Sequence, residues 1–186
     1  LFADNRVGAY VDNSPRERDS TLEFKNNVFV LNDFGVRLMP SVKRNVYTGN
    51  SFVDNLEQVQ VAGRGTIEEN VWAVDGVGNY WSDYAGFDAD NDGVGDVVYE
   101  SKKLFENITE KHPKIRLLTF SPVTQAVDFA AKSFPFVRPE AKLTDPSPLV
   151  SPGTVPGLRL DEKESGWRTL AASLAFVGLA GLVARI

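Results

Sequence analysis

The 186-residue chain contains no cysteine, one histidine and one methionine. The missing thiols exclude a disulfide framework, a thiolate metal site and a cysteine nucleophile. His112 and Met39 stand alone as softer ligands, far apart in the sequence, so no dense histidine or methionine copper cluster can form within this stretch and copper ligands cannot be assigned. An excess of basic residues is also missing. The formal net charge is −5, which argues against a nucleic-acid partner. The chain begins at Leu1 with no initiator methionine or signal peptide, which reads as a missing N-terminus.

Long hydrophobic runs are absent until the last twenty residues, Trp167 to Ile186. There Arg168 and Arg185 flank about sixteen uncharged residues, near the lower limit for a bilayer span. With interfacial Trp167, small residues for close packing and no polar face, this segment is expected to be a transmembrane helix in preference to a buried C-terminal one. Arg185 then places the C-terminus in the cytoplasm and the rest of the chain outside.

What is present is a repeat. Phe2, Asn5 and Gly8 line up with Phe29, Asn32 and Gly35, and again with Phe52, Asn55 and Gln58, at spacings of 27 and 23 residues. Asn27, Asn50 and Asn70 follow the same beat, each two positions before an aromatic residue. The longer first repeat carries a polar insertion from Asn13 to Ser20. Short segments alternate apolar and polar with period two, as in Leu22-Glu23-Phe24, Val36-Arg37-Leu38 and Val59-Gln60-Val61. A period in the low twenties without helical stripes predicts a solenoid, and the leucine-rich spacing is absent. The expected fold is therefore all-β, a parallel β-helix, with Asn27, Asn50 and Asn70 stacking as a structural ladder.

Ser121-Pro122 opens a helix expected to run to Phe134 and to cap the open end of the coils. The expected organisation is residues 1–138 as coils and cap, 139–166 as an extended Pro-rich linker, and 167–186 as the membrane helix.

Gly78-Asn79-Tyr80-Trp81-Ser82-Asp83-Tyr84 stands immediately before Asp88, Asp90, Asp92, Gly93, Val94 and Asp96. Carboxylates at this density repel one another unless a cation sits among them. Alternating Asp followed by Gly is the pattern of a calcium loop, with the Val94 carbonyl as backbone ligand and Asp96 in the ninth position. Position twelve is Tyr99, so the bidentate glutamate of an EF-hand is missing. The alternatives are a solvated acidic turn or a catalytic Asp pair of a sugar-cleaving enzyme. The neighbouring aromatics are expected to close the hydrophobic end of the coils, the alternative being a platform for a sugar or partner.

The Asn79-Tyr-Trp-Ser-Asp-Tyr84 motif, the Asp-rich loop, Phe120-Ser-Pro122, Val127-Asp-Phe-Ala-Ala131 and Lys142-Leu-Thr-Asp-Pro-Ser-Pro-Leu149 together resemble the NosD family. The resemblance covers about residues 1 to 150 and implies the C-terminal part of such a protein. It implies a right-handed parallel β-helix of the carbohydrate-binding and sugar-hydrolase (CASH) type in a periplasmic, non-enzymatic accessory protein. It further implies work on nitrous-oxide reductase maturation in denitrification, helping assemble copper centres with a copper chaperone and with the membrane and ATPase subunits of an ABC transporter. The terminal helix would anchor the protein to the cytoplasmic membrane. The other readings are a secreted β-helix that binds or cleaves polysaccharide, and a calcium-stabilised adhesin stalk.

Overall fold

In the computed structural model the described residues are 1–40, 42–63, 66–101, 113–118, 121–123, 126–127 and 141–154. All but Thr154 belong to one compact unit, Leu1–Gly153. The strands are β1 (Phe2–Ala3), β2 (Val7–Val11), β3 (Leu22–Lys25), β4 (Val28–Val30), β5 (Phe34–Leu38), β6 (Asn45–Thr48), β7 (Ser51–Val53), β8 (Glu57–Val61), β9 (Tyr80–Trp81), β10 (Tyr99–Glu100) and β11 (Thr144–Asp145). The first nine assemble into three parallel sheets, ordered β1-β4-β7-β9, β2-β5-β8 and β3-β6. The first two coils each contribute one short strand per sheet, and Val71 of the next coil continues the β3-β6 sheet through a single bridge to Val46, which is the architecture of a parallel β-solenoid.

Alternation within the strands sends one set of side chains inward, and parallel register places equivalent residues above one another. Phe2 pairs with Phe29, Phe29 with Phe52, and Phe52 with Trp81. Their rings stack at 4.9, 5.1 and 4.4 Å, nearly parallel, and Tyr99 adds a fifth ring 4.4 Å from Trp81. A second file, Phe24–Tyr47–Trp72, runs beside it at 4.8 and 4.4 Å. Val36, Leu38, Val42, Val59, Val61 and Ile67 fill the remaining core.

The corners are held by asparagine. Asn32 Oδ1 accepts from the backbone N–H and the amide of Asn5, and Asn55 Oδ1 accepts the same pair from Asn32. Asn50 stands in that relation to Asn27, and Asn79 to Asn50. Asn70 serves Asn45 in a third file. Asn27 and Asn50 therefore share a ladder, but Asn70 belongs to another corner. The cause is a repeated signature: Asn-x-aromatic occurs twice per coil, at Asn45–Tyr47 and Asn50–Phe52, then at Asn70–Trp72 and Asn79–Trp81.

Two expectations are corrected. Among the described residues no cap helix closes the end of the coils. Among the described residues, helical backbone is limited to a 3-10 helix, Pro113–Leu118, and short stretches at 122–123 and 126–127; the rest of 121–134 lies outside them. Closure falls instead to residues 141–150, which the sequence reading assigns to a linker. β11 pairs antiparallel with β10, and Leu149 bridges Tyr80 and Val94. A strand-like segment suits this place because its backbone groups are free to pair with the last coil, whereas a helix has already used its own.

The membrane-anchored reading is likewise overturned: among the described residues no helix is long and apolar enough to cross a membrane. Residues 167–186 lie outside the described residues.

The ladder carries a stability prediction. Asn50 is fully buried, accepts two hydrogen bonds from Asn27 and donates to the Phe24 carbonyl and to Asn79. Asn50→Ala would strand these groups, at a cost of about 3 kcal/mol. The half-buried Asn27 would lose less than about 1 kcal/mol on the same change, and urea titration of both variants measures the difference.

Candidate functional site: the Asp-rich loop and the carboxylate terminus

Past β9 the chain turns through the Asp-rich loop. One carboxylate oxygen from each of Asp88, Asp90 and Asp92 lies within 4.8 Å of the others. Asp88 is half-buried, and Asp90 and Asp92 are exposed. Asp88 organises the turn: Oδ1 accepts from the N–H of Asn91 (2.7 Å) and Asp92 (3.3 Å), and Oδ2 from that of Gly93 (3.0 Å). Asn91 and Gly93 have positive φ, 60° and 90°, which Gly adopts freely and Asn tolerates.

The structure does not bring all five proposed ligands together in the same way. Asp96 turns back to accept from the Ala89 N–H at 2.7 Å, and it is outside the three-carboxylate group. The Val94 N–H is held by Asp92 Oδ1, and Val94 bridges Leu149. The electrostatics are those of crowded anions. The neighbouring charge of Asp92, then desolvation and Asp96, push the Asp90 carboxyl up. At Asp88 desolvation is the largest single influence and raises the carboxyl, but the N–H donors of Gly93 and Asn91, a hydrogen bond with Asp90 and the Asp92 N–H together outweigh it and hold that carboxyl below its ordinary range. Three oxygen donors converging on one point fit a hard cation.

A copper ion is not matched in the same way. Among the described residues the three aspartates are the group able to hold a metal, Met39 packs against the hydrophobic core, and His112 lies outside the described residues. All-oxygen ligation does not favour copper.

The residue that sequence reasoning missed is Asp145. It is fully buried, and its Oδ2 accepts from the Asn79 backbone N–H (2.7 Å), the Asn79 amide (3.3 Å) and the Trp81 indole (2.9 Å). Oδ1 accepts from the Ser147 N–H at 3.0 Å. Asp145 thus occupies the place of the next rung: Asn27, Asn50, Asn79, then a carboxylate. Position 78 must be glycine, because a Cβ there would collide with this carboxylate and with the Ser147 carbonyl. Burial pushes the Asp145 carboxyl up, and the donors of Trp81, Asn79 and Ser147 offset part of that rise.

A second fastening lies alongside. Lys142 Nζ meets Glu57 Oε1 at 2.6 Å, with side chains 3% and 12% exposed. Gln60 donates to the other Glu57 oxygen at 3.2 Å. Tyr99 Oη donates to Asp83 at 3.1 Å, and Tyr84 Oη donates to the Val97 carbonyl at 2.6 Å. The aromatic motif thus sits inside and beside the end of the coils. The available signal for Asp145 and Lys142 was that charged residues sit inside an otherwise extended Pro-rich tract.

Two outcomes follow. Asp90→Ala, or chelation of divalent ions, lowers the melting temperature in calcium-containing buffer, and a melt indifferent to both removes the cation. For Asp145, the raised carboxyl means that the folded state binds the proton more tightly than the unfolded chain. Its contribution is fully present below the ordinary carboxylate range and is lost as pH rises through the folded value. Asp145→Asn removes that dependence, so the variant gains on the wild-type chain as pH rises from about 4 to about 7, read by thermal melts.

Residues 2–86 match the family model described as "Periplasmic copper-binding protein (NosD)". The chain is 38% identical over 114 residues to "Probable ABC transporter binding protein NosD" of Stutzerimonas stutzeri, covering 61% of this chain and 26% of that protein. It is 39% identical over 115 residues to the protein of the same name from Pseudomonas aeruginosa, again covering 61% and 26%. The chain therefore spans about a quarter of the length of the curated relatives it matches. Over its parallel coils the chain is thus similar to NosD proteins.

Proposed function

We propose that this chain is the C-terminal part of a periplasmic, non-enzymatic accessory protein that helps assemble the copper centres of nitrous-oxide reductase. On this reading it works with the membrane and ATPase subunits of an ABC transporter and receives its cargo from a copper chaperone. The observation that carries the proposal is the match of the repeat region to NosD proteins. The end of the Asn27–Asn50–Asn79 file at a buried carboxylate supports placing these coils at the closed end of a longer solenoid.

The internal chemistry supports a scaffold. The repeated Phe and Asn residues are committed to stacking and to corner hydrogen bonds, and the crowded aspartates share one loop rather than facing one another across a coil surface. We assign the Asp88, Asp90 and Asp92 loop a structural calcium ion that ties down the chain beyond β9, with the Val94 carbonyl and Asp96 as further ligands. Copper is cargo in this scheme, and no residue of the described region is assigned to it.

Deleting the gene is expected to leave reductase polypeptide present but poor in copper and low in activity. Complementation with the full-length gene restores both, and capture of apo-reductase by the purified protein gives the direct readout. Normal copper loading in the deletion strain, together with polysaccharide binding by the purified protein, would replace this reading with the glycan-binding one.

A further inference from the structure

Among the described residues, five oxidisable rings are grouped together, apart from the stacked phenylalanines. Phe2, Phe29, Phe52 and Phe24 form the early parts of the two stacked files. From there the files change to Tyr and Trp and meet: Tyr47 lies 4.4 Å from Trp72, Trp72 5.9 Å from Trp81, Trp81 4.4 Å from Tyr99, and Tyr99 6.5 Å from Tyr84. No phenylalanine interrupts this path. Five of the chain's eight Trp and Tyr residues lie on it, in a protein with no cysteine and one methionine to take up oxidising equivalents.

The rings also differ in where their protons can go. Tyr47 Oη and Trp72 Nε1 are buried without a hydrogen-bond partner. The Trp81 indole donates to the Asp145 carboxylate at 2.9 Å and the Tyr99 hydroxyl to the Asp83 carboxylate at 3.1 Å. Tyr84, half-buried, donates to a backbone carbonyl beside the surface loop. A Tyr or Trp ring loses an electron far more readily when a base receives its proton in the same step. Acceptors are thus present on the outward half of the path and missing on the inward half.

From this asymmetry we infer that the chain carries a one-electron relay, which moves an oxidising hole from the buried indoles out to Tyr84. An oxygen-centred radical or other one-electron oxidant takes an electron from Trp81, and the indole proton passes to Asp145 Oδ2. Tyr99 then returns an electron to Trp81 and gives its hydroxyl proton to Asp83, while Asp145 returns its proton to the indole. Tyr84 re-reduces Tyr99, which recovers its proton from Asp83, and the Tyr84 proton leaves to solvent. A thiol-class or ascorbate-class reductant outside the protein supplies the final electron and proton to Tyr84. One electron has then moved from external reductant to oxidant, and every side chain is restored. The device protects a core through which aromatic rings stack from coil to coil.

The test is a laser flash at a wavelength absorbed by indole and not by phenol, on the full chain carrying Trp167→Phe, with a scavenger for the ejected electron. The tryptophanyl absorption is expected to convert to tyrosyl absorption in a first-order phase independent of protein concentration. Tyr99→Phe, which keeps the stacked ring, should lose that phase, and Asp83→Asn should slow it with the stacks intact. Tyr84→Phe should leave the radical on Tyr99, where a soluble thiol quenches it more slowly. Circular dichroism checks each fold. If a Phe variant fails to fold, Asp83→Asn decides alone. A tyrosyl signal unchanged by Tyr99→Phe or by Asp83→Asn, or one that appears only in a concentration-dependent phase, would overturn the relay.

Discussion

The structure depends on the side-chain amide at each corner of a coil. Stacking parallel strands satisfies the backbone along the sheets, but the corners turn N–H and C=O groups along the solenoid axis with no strand to receive them. Asn answers both kinds at once. Asn55 accepts from the N–H and amide of Asn32 and donates to the Phe29 carbonyl, and Asn50 does the same one corner away for Asn27 and Phe24. A buried donor or acceptor left unmet costs about 1–3 kcal/mol, so the rung repeats wherever a corner is covered. The aromatic files and the parallel register follow from corners fixed at the same height in every coil.

That constraint makes the end of a file a chemical problem. The last rung, Asn79, still presents a backbone N–H and an amide N–H to whatever lies beyond. Another Asn would meet them, but so does a carboxylate, which accepts more bonds and donates none. Asp145 takes the two Asn79 donors and the Trp81 indole on one oxygen, so a single side chain closes both the corner file and the ring file. Lys142 and Glu57 fasten the same segment at the side of β8 in an ion pair almost wholly removed from water. Losing one partner of such a pair is far more costly than losing an exposed pair such as Lys25–Glu23.

The solenoid was legible because its causes are local and periodic. Phe2, Phe29 and Phe52 recur with Asn5, Asn32 and Asn55 three positions on, and the structure puts those residues in register. The Asn70 rung was misjudged because two corners per coil use one short signature, and spacing alone cannot separate them. The convergence of Asp88, Asp90 and Asp92 could be read from alternation and Gly93. The closure could not. Nothing near Asp145 in the sequence announces that its partners lie 66 and 64 residues earlier, and the helical pattern from Ser121 offered a nearer and more familiar cap.

Those long separations bear on how the protein is made. Lys142 reaches back 85 residues to Glu57 and Gly153 reaches back 102 to Ser51. During synthesis the coils through Trp81 can therefore assemble well before the segment that covers them has left the ribosome. In that interval Asn79 and the face of Trp81 form an open template for any passing strand. The closing segment acts late, as the step that ends a period of vulnerability to misassociation. Its two buried attachments make that ending hard to reverse.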